Sequence, residues 1–156
     1  MGREIKFRVW DKITKQLIYL NKVDFVNYKF DGENKGFELS FDGVGKKSES
    51  SKWLMSKDDY VLHQFTGLKD KNGREIYEGD IVSVLDDNNV FEVKFGKVKR
   101  NIVGFDTDTV YPVELNTFYF EQEDRPYFSI TDNYLGKHDL EDTLIIGNIF
   151  ENKDLL

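Results

Sequence analysis

Four groups of residues in this chain have types and spacings that could carry chemistry. The first is the basic run Lys94-Phe95-Gly96-Lys97-Val98-Lys99-Arg100, with four cations and two interleaved apolar side chains. Such a stripe can neutralise phosphates through Lys94, Lys97, Lys99 and Arg100 and offer Phe95 to a base as a stacking platform. The plainer alternative is a solvated strand face with Phe95 and Val98 turned inward. With 29 acidic residues against 22 basic ones and a net charge of −7, that alternative is favoured. The second group surrounds His138, in Gly-Lys-His-Asp-Leu-Glu-Asp, where an imidazole lies close to Asp139, Glu141 and Asp142. A zinc site needs three or four ligands, usually with closely spaced His or Cys, so a solvated loop is expected. The other histidine, His63, follows Leu62 and precedes Phe65, and reads as a strand residue.

The third group is carboxylates: Asp58-Asp59, Asp86-Asp87, Asp106 with Asp108, and Glu121 with Glu123-Asp124. A glycosidase pair is defined by its separation in space, which the linear order does not state. The fourth is Asp70-Lys71-Asn72-Gly73, which opens like a calcium loop. Arg74 then occupies the next ligand position and the glycine comes early, so a turn explains these residues better. Phosphate-binding, dinucleotide and nucleophile-elbow glycine motifs are absent from the sequence. The expectation is a chain without enzymatic activity, cofactor or metal.

The elements that would position these groups are strands. The 156 residues include no alanine, and aromatics make up 15%. Alanine is the best helix former, whereas β-branched and aromatic residues suit a pleated surface. With 39% apolar residues, a chain of this length can bury a full core as one domain. No apolar run reaches the ~20 residues of a membrane helix. The start, MGREIKFRVWD, alternates charged with apolar residues and is unlike a signal peptide. Without cysteine there is no disulfide and no thiolate site. A soluble cytoplasmic protein is expected.

Period-two alternation marks the strands. Ile5, Phe7 and Val9 alternate, Asp11 to Lys15 turns, and Leu17 to Leu20 returns. Val26, Tyr28 and Phe30, then a DGENKG loop, then Phe37, Leu39 and Phe41 make a second hairpin. Gly43 to Ser51 is polar and reads as a loop; Ser51 to Leu62 has a weak helical periodicity. Leu115–Glu121 and Tyr127–Thr131 flank QEDRP as a further hairpin. Thr143 to Phe150 reads as a mostly buried strand, followed by a short helical turn at Glu151 to Leu156.

One turn allows its register to be worked out. A two-residue turn at Asn72-Gly73 would set Asp70 opposite Glu75 and Lys71 opposite Arg74, both like-charge pairs. A three-residue loop, Lys71 to Gly73, sets Asp70 opposite Arg74, Lys69 opposite Glu75 and Leu68 opposite Ile76. At about 0.2–1 kcal/mol per cross-strand pair, the second register is preferred. Asp70 suits the first position of a type I turn, and Gly73 supplies the left-handed residue of the bulge. Beyond Gly79, which either adopts a glycine-only conformation or admits another backbone, comes a further hairpin. A turn at Asp86–Asn89 would set Val84 opposite Phe91 and Val82 opposite Val93, all on the core face. Short, bent hairpins joined this way predict a mainly β chain with a small SH3-like barrel or roll and little helix.

Three blocks carry a family resemblance: REIKFRVWD (Arg3 to Asp11), QFTGLKDKNGREIYEGDIV (Gln64 to Val82) and IGNIFENKDLL (Ile146 to Leu156). The chain resembles the YopX family of phage and prophage proteins. Val9, Phe65, Phe150 and Lys153 depart from the usual alanine, tyrosine, tyrosine and proline; the first three stay apolar. The resemblance implies a β-rich fold with an SH3-like part, self-association, and a phage or prophage origin. It brings no established activity and no catalytic residues. The chain is then expected to be one YopX-like domain over 1–156, with N-terminal hairpins and a loop over 1–60 and a barrel-like part over 61–156. The expected role is that of a non-enzymatic accessory or scaffold protein in the bacterial cytoplasm, contacting its own copies or a phage or host protein. Nucleic-acid binding through Lys94–Arg100 is the alternative, and imitation of DNA by surface carboxylates ranks below both.

Overall fold

A computed structural model of the chain describes residues 4–20, 24–25, 36–40, 52–56, 59–84, 86–103, 109–123, 125–129 and 142–156. The fold is mainly β with almost no helix and includes a sheet curled into a half-barrel, as the sequence predicts. Two compact units divide the chain, Met1–Gly67 and Leu68–Leu156. Among the described residues, no helix is long and apolar enough to cross a membrane.

In the first unit, β1 (Phe7–Asp11) lies between β2 (Gln16–Leu20) and β6 (Tyr60–Lys69), antiparallel to both. The predicted first hairpin is present, with Phe7 opposite Leu20 and Asp11 opposite Gln16. Its turn is held by the Asp11 carboxylate, which accepts the Ile13 N–H at 2.8 Å, the Thr14 N–H at 3.1 Å and the Thr14 hydroxyl at 2.7 Å. Being central, β1 is buried on both faces: Val9 and Leu20 form a small core with Phe7, Ile18, Tyr60 and Leu62, while Arg8 and Trp10 are buried on the reverse side. A separate sheet joins β3 (Asp24–Phe25), β4 (Gly36–Ser40) and β5 (Lys52–Ser56). The alternating residues 26–30 of the second predicted hairpin and the polar stretch 43–51 lie outside the described residues.

The weak helical periodicity over Ser51 to Leu62, which left helix and loop both open, corresponds to neither among the described residues; the segment contributes β5 and the start of β6. Phe37 opposes Met55 and Leu39 opposes Trp53 across the β4–β5 ladder. Those apolar partners sit far upstream, where a local periodicity count does not register them, and tertiary pairing overrides a weak helical signal.

In the second unit the end of β6 turns back into β7 (Glu75–Tyr77) through the predicted three-residue loop. The Gly73 N–H donates to the Asp70 carbonyl and the Asp70 N–H to the Arg74 carbonyl, both at 2.9 Å, with Gly73 at φ +80°. A five-stranded sheet follows in the order β11 (Arg125–Ser129), β10 (Val110–Gln122), β9 (Asp86–Val103), β8 (Asp80–Val84), β12 (Thr143–Asn148). Its core gathers Ile76, Val82, Val84, Phe91, Val93, Phe118, Phe120 and Ile145, with Leu68 packed against it. The predicted β10–β11 hairpin is present, with Phe120 opposite Phe128, but its turn is tighter than the expected QEDRP loop, since Gln122 pairs with Arg125 and Glu121 with Pro126. The chain ends in a short 3-10 turn, Lys153–Leu155.

The β8–β9 register differs from expectation. Val82, not Val84, opposes Phe91, and a register shift between Ser83 and Val84 sets Val84 opposite Asp86. Strand β9 thus begins inside the loop predicted at Asp86–Asn89. For Val82 the displacement is two residues, an even number that leaves its facing unchanged, whereas the partner of Val84, beyond the register shift, moves by five. Val82, Val84, Phe91 and Val93 nonetheless share the core.

Candidate functional site

The basic run lies in β9, paired along its length with β10. Phe95 was expected to face inward with Val98, but the two are three residues apart and a strand alternates with period two. Val98 is 1% exposed and Phe95 48% exposed. Phe95 opposes Phe118 in the ladder and meets its ring edge-on, centroids 5.0 Å apart. Alternation places Lys97 and Lys99 on the same face as Phe95, and Lys94 on the face of Val98. The run is therefore split between two faces. Arg100 is opposite Val113 in the ladder.

The lysines are matched by carboxylates on β10. Lys97 and Lys99 both reach Glu114, at 3.2 and 3.8 Å. Lys94 is bonded to Glu121 and lies 3.6 Å from Glu92. Glu92 and Glu121 oppose each other across the ladder, so Lys94 bridges two like charges. Burial, with Glu121 beside it, pushes the Glu92 carboxyl up against the pull of Lys94. Burial draws the Lys94 ammonium down, yet the bond to Glu121 and the two negative charges outweigh it and raise its pKa. Burial, then Glu121, raises the Tyr119 phenol, whose hydroxyl donates to Glu121 at 3.3 Å. These partners escape a linear reading because Lys94 and Glu121 are brought side by side only by the long β9–β10 pairing. Among the described residues, no three His, Asp or Glu side chains are grouped as metal ligands. His138, Asp139 and Glu141 lie outside the described residues, as do Asp58, Asp106, Asp108 and Asp124.

A denser polar constellation joins the central and C-terminal sequence blocks. Asp70 is 5% exposed. Its Oδ1 accepts the N–H groups of Asn72 and Arg74, each at 2.9 Å, and its Oδ2 accepts the Ile145 N–H of β12 at 3.2 Å. The Lys71 N–H donates to the Thr143 carbonyl at 2.9 Å, and the Arg74 guanidinium to the Ile145 carbonyl at 3.3 Å. Buried Asp80 accepts the Tyr77 N–H at 2.8 Å. Gly79 has φ +75°, the glycine-only conformation of the first reading, and it donates to the Val93 carbonyl at 2.7 Å and accepts the Ile149 N–H at 3.0 Å. The Asn148 side chain accepts the Phe150 and Glu151 N–H groups and donates to Glu151, which ends β12 two residues earlier than predicted. All of these polar groups hold backbone. Because a side chain in the left-handed region costs about 1–2 kcal/mol, Gly79→Ala is expected to lose that much stability, measured by urea unfolding.

A family model described as YopX protein matches residues 6–156. The chain belongs to the YopX family. The match extends well beyond the three YopX-like blocks and takes in the β9–β10 hairpin. Among solved structures, the crystal structure of protein EF1440 from Enterococcus faecalis is similar, at 26% identity over 99% of each chain with a TM-score of 0.55. No curated protein matches the chain. In this YopX chain the central block and the C-terminal block form one hydrogen-bonded junction, centred on Asp70, Gly79 and Asn148.

Proposed function

We propose that this YopX-family chain is a phage- or prophage-encoded accessory protein without enzymatic activity, acting in the bacterial host cytoplasm through protein contacts, first of all with its own copies. The observation that carries this reading is the use made of the signature residues. Asp70, Asp80 and Asn148 are buried and bonded to backbone, which makes them parts of a scaffold. The exposed large apolar side chains include Phe95, Val110, Tyr111 and Leu115 on β9 and β10, which offer a second molecule apolar contact. A phage or host protein is the further partner in this reading. Nucleic-acid binding would use the shared exposed face of Phe95, Lys97 and Lys99, but Glu114 offsets part of that charge.

Light scattering at micromolar concentration tests the self-association. A mass at least twice the 18.3 kDa of one chain is expected, and a lone 18.3 kDa species overturns that part of the proposal.

A further inference from the structure

We propose that this chain pairs with a second copy of itself through the outer edge of β10, forming one continuous sheet with Val113 on the two-fold axis. The inference rests on the self-association proposed above and gives it a surface and a register. Along one edge β10 is paired with β9 from Val110 to Glu121. Along the other, among the described residues, it is paired with β11 only over Tyr119–Gln122. The stretch Val110–Thr117 thus has an edge that no described strand covers. Val110, Tyr111 and Leu115 within it are 55%, 52% and 40% exposed. A long open edge is a template for another strand, and a second copy brings the same edge in reverse direction.

Parity decides which backbone groups point outward. Gln122 pairs with Arg125 where β10 turns back into β11, and the residues that close a two-residue hairpin exchange backbone hydrogen bonds. Strand β10 runs against β9 without a register shift, so counting back in twos gives the same outward direction to Asn116, Glu114 and Pro112. Pro112 suits that side, because proline has no N–H to donate and in a sheet its nitrogen faces away from the ladder. Even-numbered residues therefore supply the bonds to a second copy. Odd-numbered ones meet across it as the closer, non-hydrogen-bonded pairs.

The side chains choose among the two-fold registers. With Glu114 on the axis, two carboxylates would oppose each other, which is unfavourable. With Pro112 there, two residues lacking an N–H would meet where hydrogen bonds are needed. With Leu115 or Asn116 there, the ladder would run into the partner's Tyr119, whose outer edge β11 already holds through Ser129. With Val113 on the axis, Tyr111 opposes the partner's Leu115, Val113 opposes its own copy, and Leu115 opposes the partner's Tyr111, all on one face. On the other face Glu114 opposes the partner's Pro112 and Asn116 the partner's Val110. No like charges meet, and the ladder ends before β11 begins.

The chain has no cysteine, so a single introduced one reports a single distance. In the Val113-centred register the two Val113 Cα atoms are about 4.5 Å apart, within disulfide reach. The two Leu115 Cα atoms are four residues out of step, roughly 13 Å apart, and beyond it. Under mild oxidation, Val113→Cys is expected to shift from 18.3 kDa to twice that mass on a non-reducing gel, while Leu115→Cys stays at 18.3 kDa. Crosslinking of Leu115→Cys alone, or of both variants equally, overturns the register. Crosslinking of neither, with the wild type still scattering light as an oligomer, overturns the β10 edge and leaves the self-association standing. A wild type found only at 18.3 kDa overturns both. Should Val113→Cys not fold, amide exchange of the associated wild type decides. Slowed exchange at Glu114 and Asn116 supports the pairing, and exchange as fast as in an open strand overturns it.

Discussion

Replacing Asp70 with alanine is expected to destabilise the second unit by about 2–4 kcal/mol in urea unfolding, because it strands backbone N–H groups that the carboxylate now accepts. Three donors are involved, and they are not equivalent. Asn72 and Arg74 sit in an exposed turn, where water takes the place of Oδ1. Ile145 is buried in β12, and its N–H loses Oδ2 with no water to replace it. An unsatisfied buried donor costs about 1–3 kcal/mol, so most of the effect is assigned to Ile145. Lys71→Ala, at an exposed neighbouring position, serves as the control and is expected to change stability by less than about 0.5 kcal/mol. A loss for Asp70→Ala as small as that of the control would contradict the role of Asp70 as a tie between the turn and β12.

The second large effect is expected at Gly147, where β12 shifts register against β8. A Cβ added there would lie 2.6 Å from Asn152 Oδ1 and 2.8 Å from Asn152 Cβ and Cγ. Asn152 cannot simply move away. Its Oδ1 accepts the Asn148 N–H at 3.2 Å, and its N–H donates to the Asn148 carbonyl at 2.9 Å. Gly147→Ala must therefore either compress this contact or open the turn that closes the chain, at about 1–3 kcal/mol. Asn152→Gly removes the atoms in the way. The double variant Gly147→Ala with Asn152→Gly is expected to lose less than the sum of the two single losses. Strict additivity would show that Asn152 is not what the methyl group meets.

Legibility in the sequence followed distance along the chain. The turn at Asp70–Gly73 was derivable because both strands lie within ten residues and their charges discriminate between two registers. The same local logic placed Val82, Val84, Phe91 and Val93 on one face, although the partner of Val82 moved by two residues and that of Val84, past the register shift, by five. The weak helical periodicity over Ser51–Leu62 left that segment undecided because the decisive partners, Phe37 and Leu39, are distant. The basic run was conspicuous as composition, yet its use depended on Glu114 and Glu121, and only the β9–β10 register brings these alongside. The Phe95 error had a simpler cause, since residues three apart cannot share a face of a regular strand.

By itself, the sequence determined that this chain is a sheet protein, that its central block is a bulged turn, and which family it resembles. Those properties rest on side-chain volume, alternation and glycine geometry, each of which acts within a few residues. Tertiary structure alone decided that Asp70 reaches Ile145, that Gly79 bonds Val93 and Ile149, and that Arg8 confronts His63. Each of these joins segments whose meeting is set by the pairing order and register of strands, which no local preference encodes.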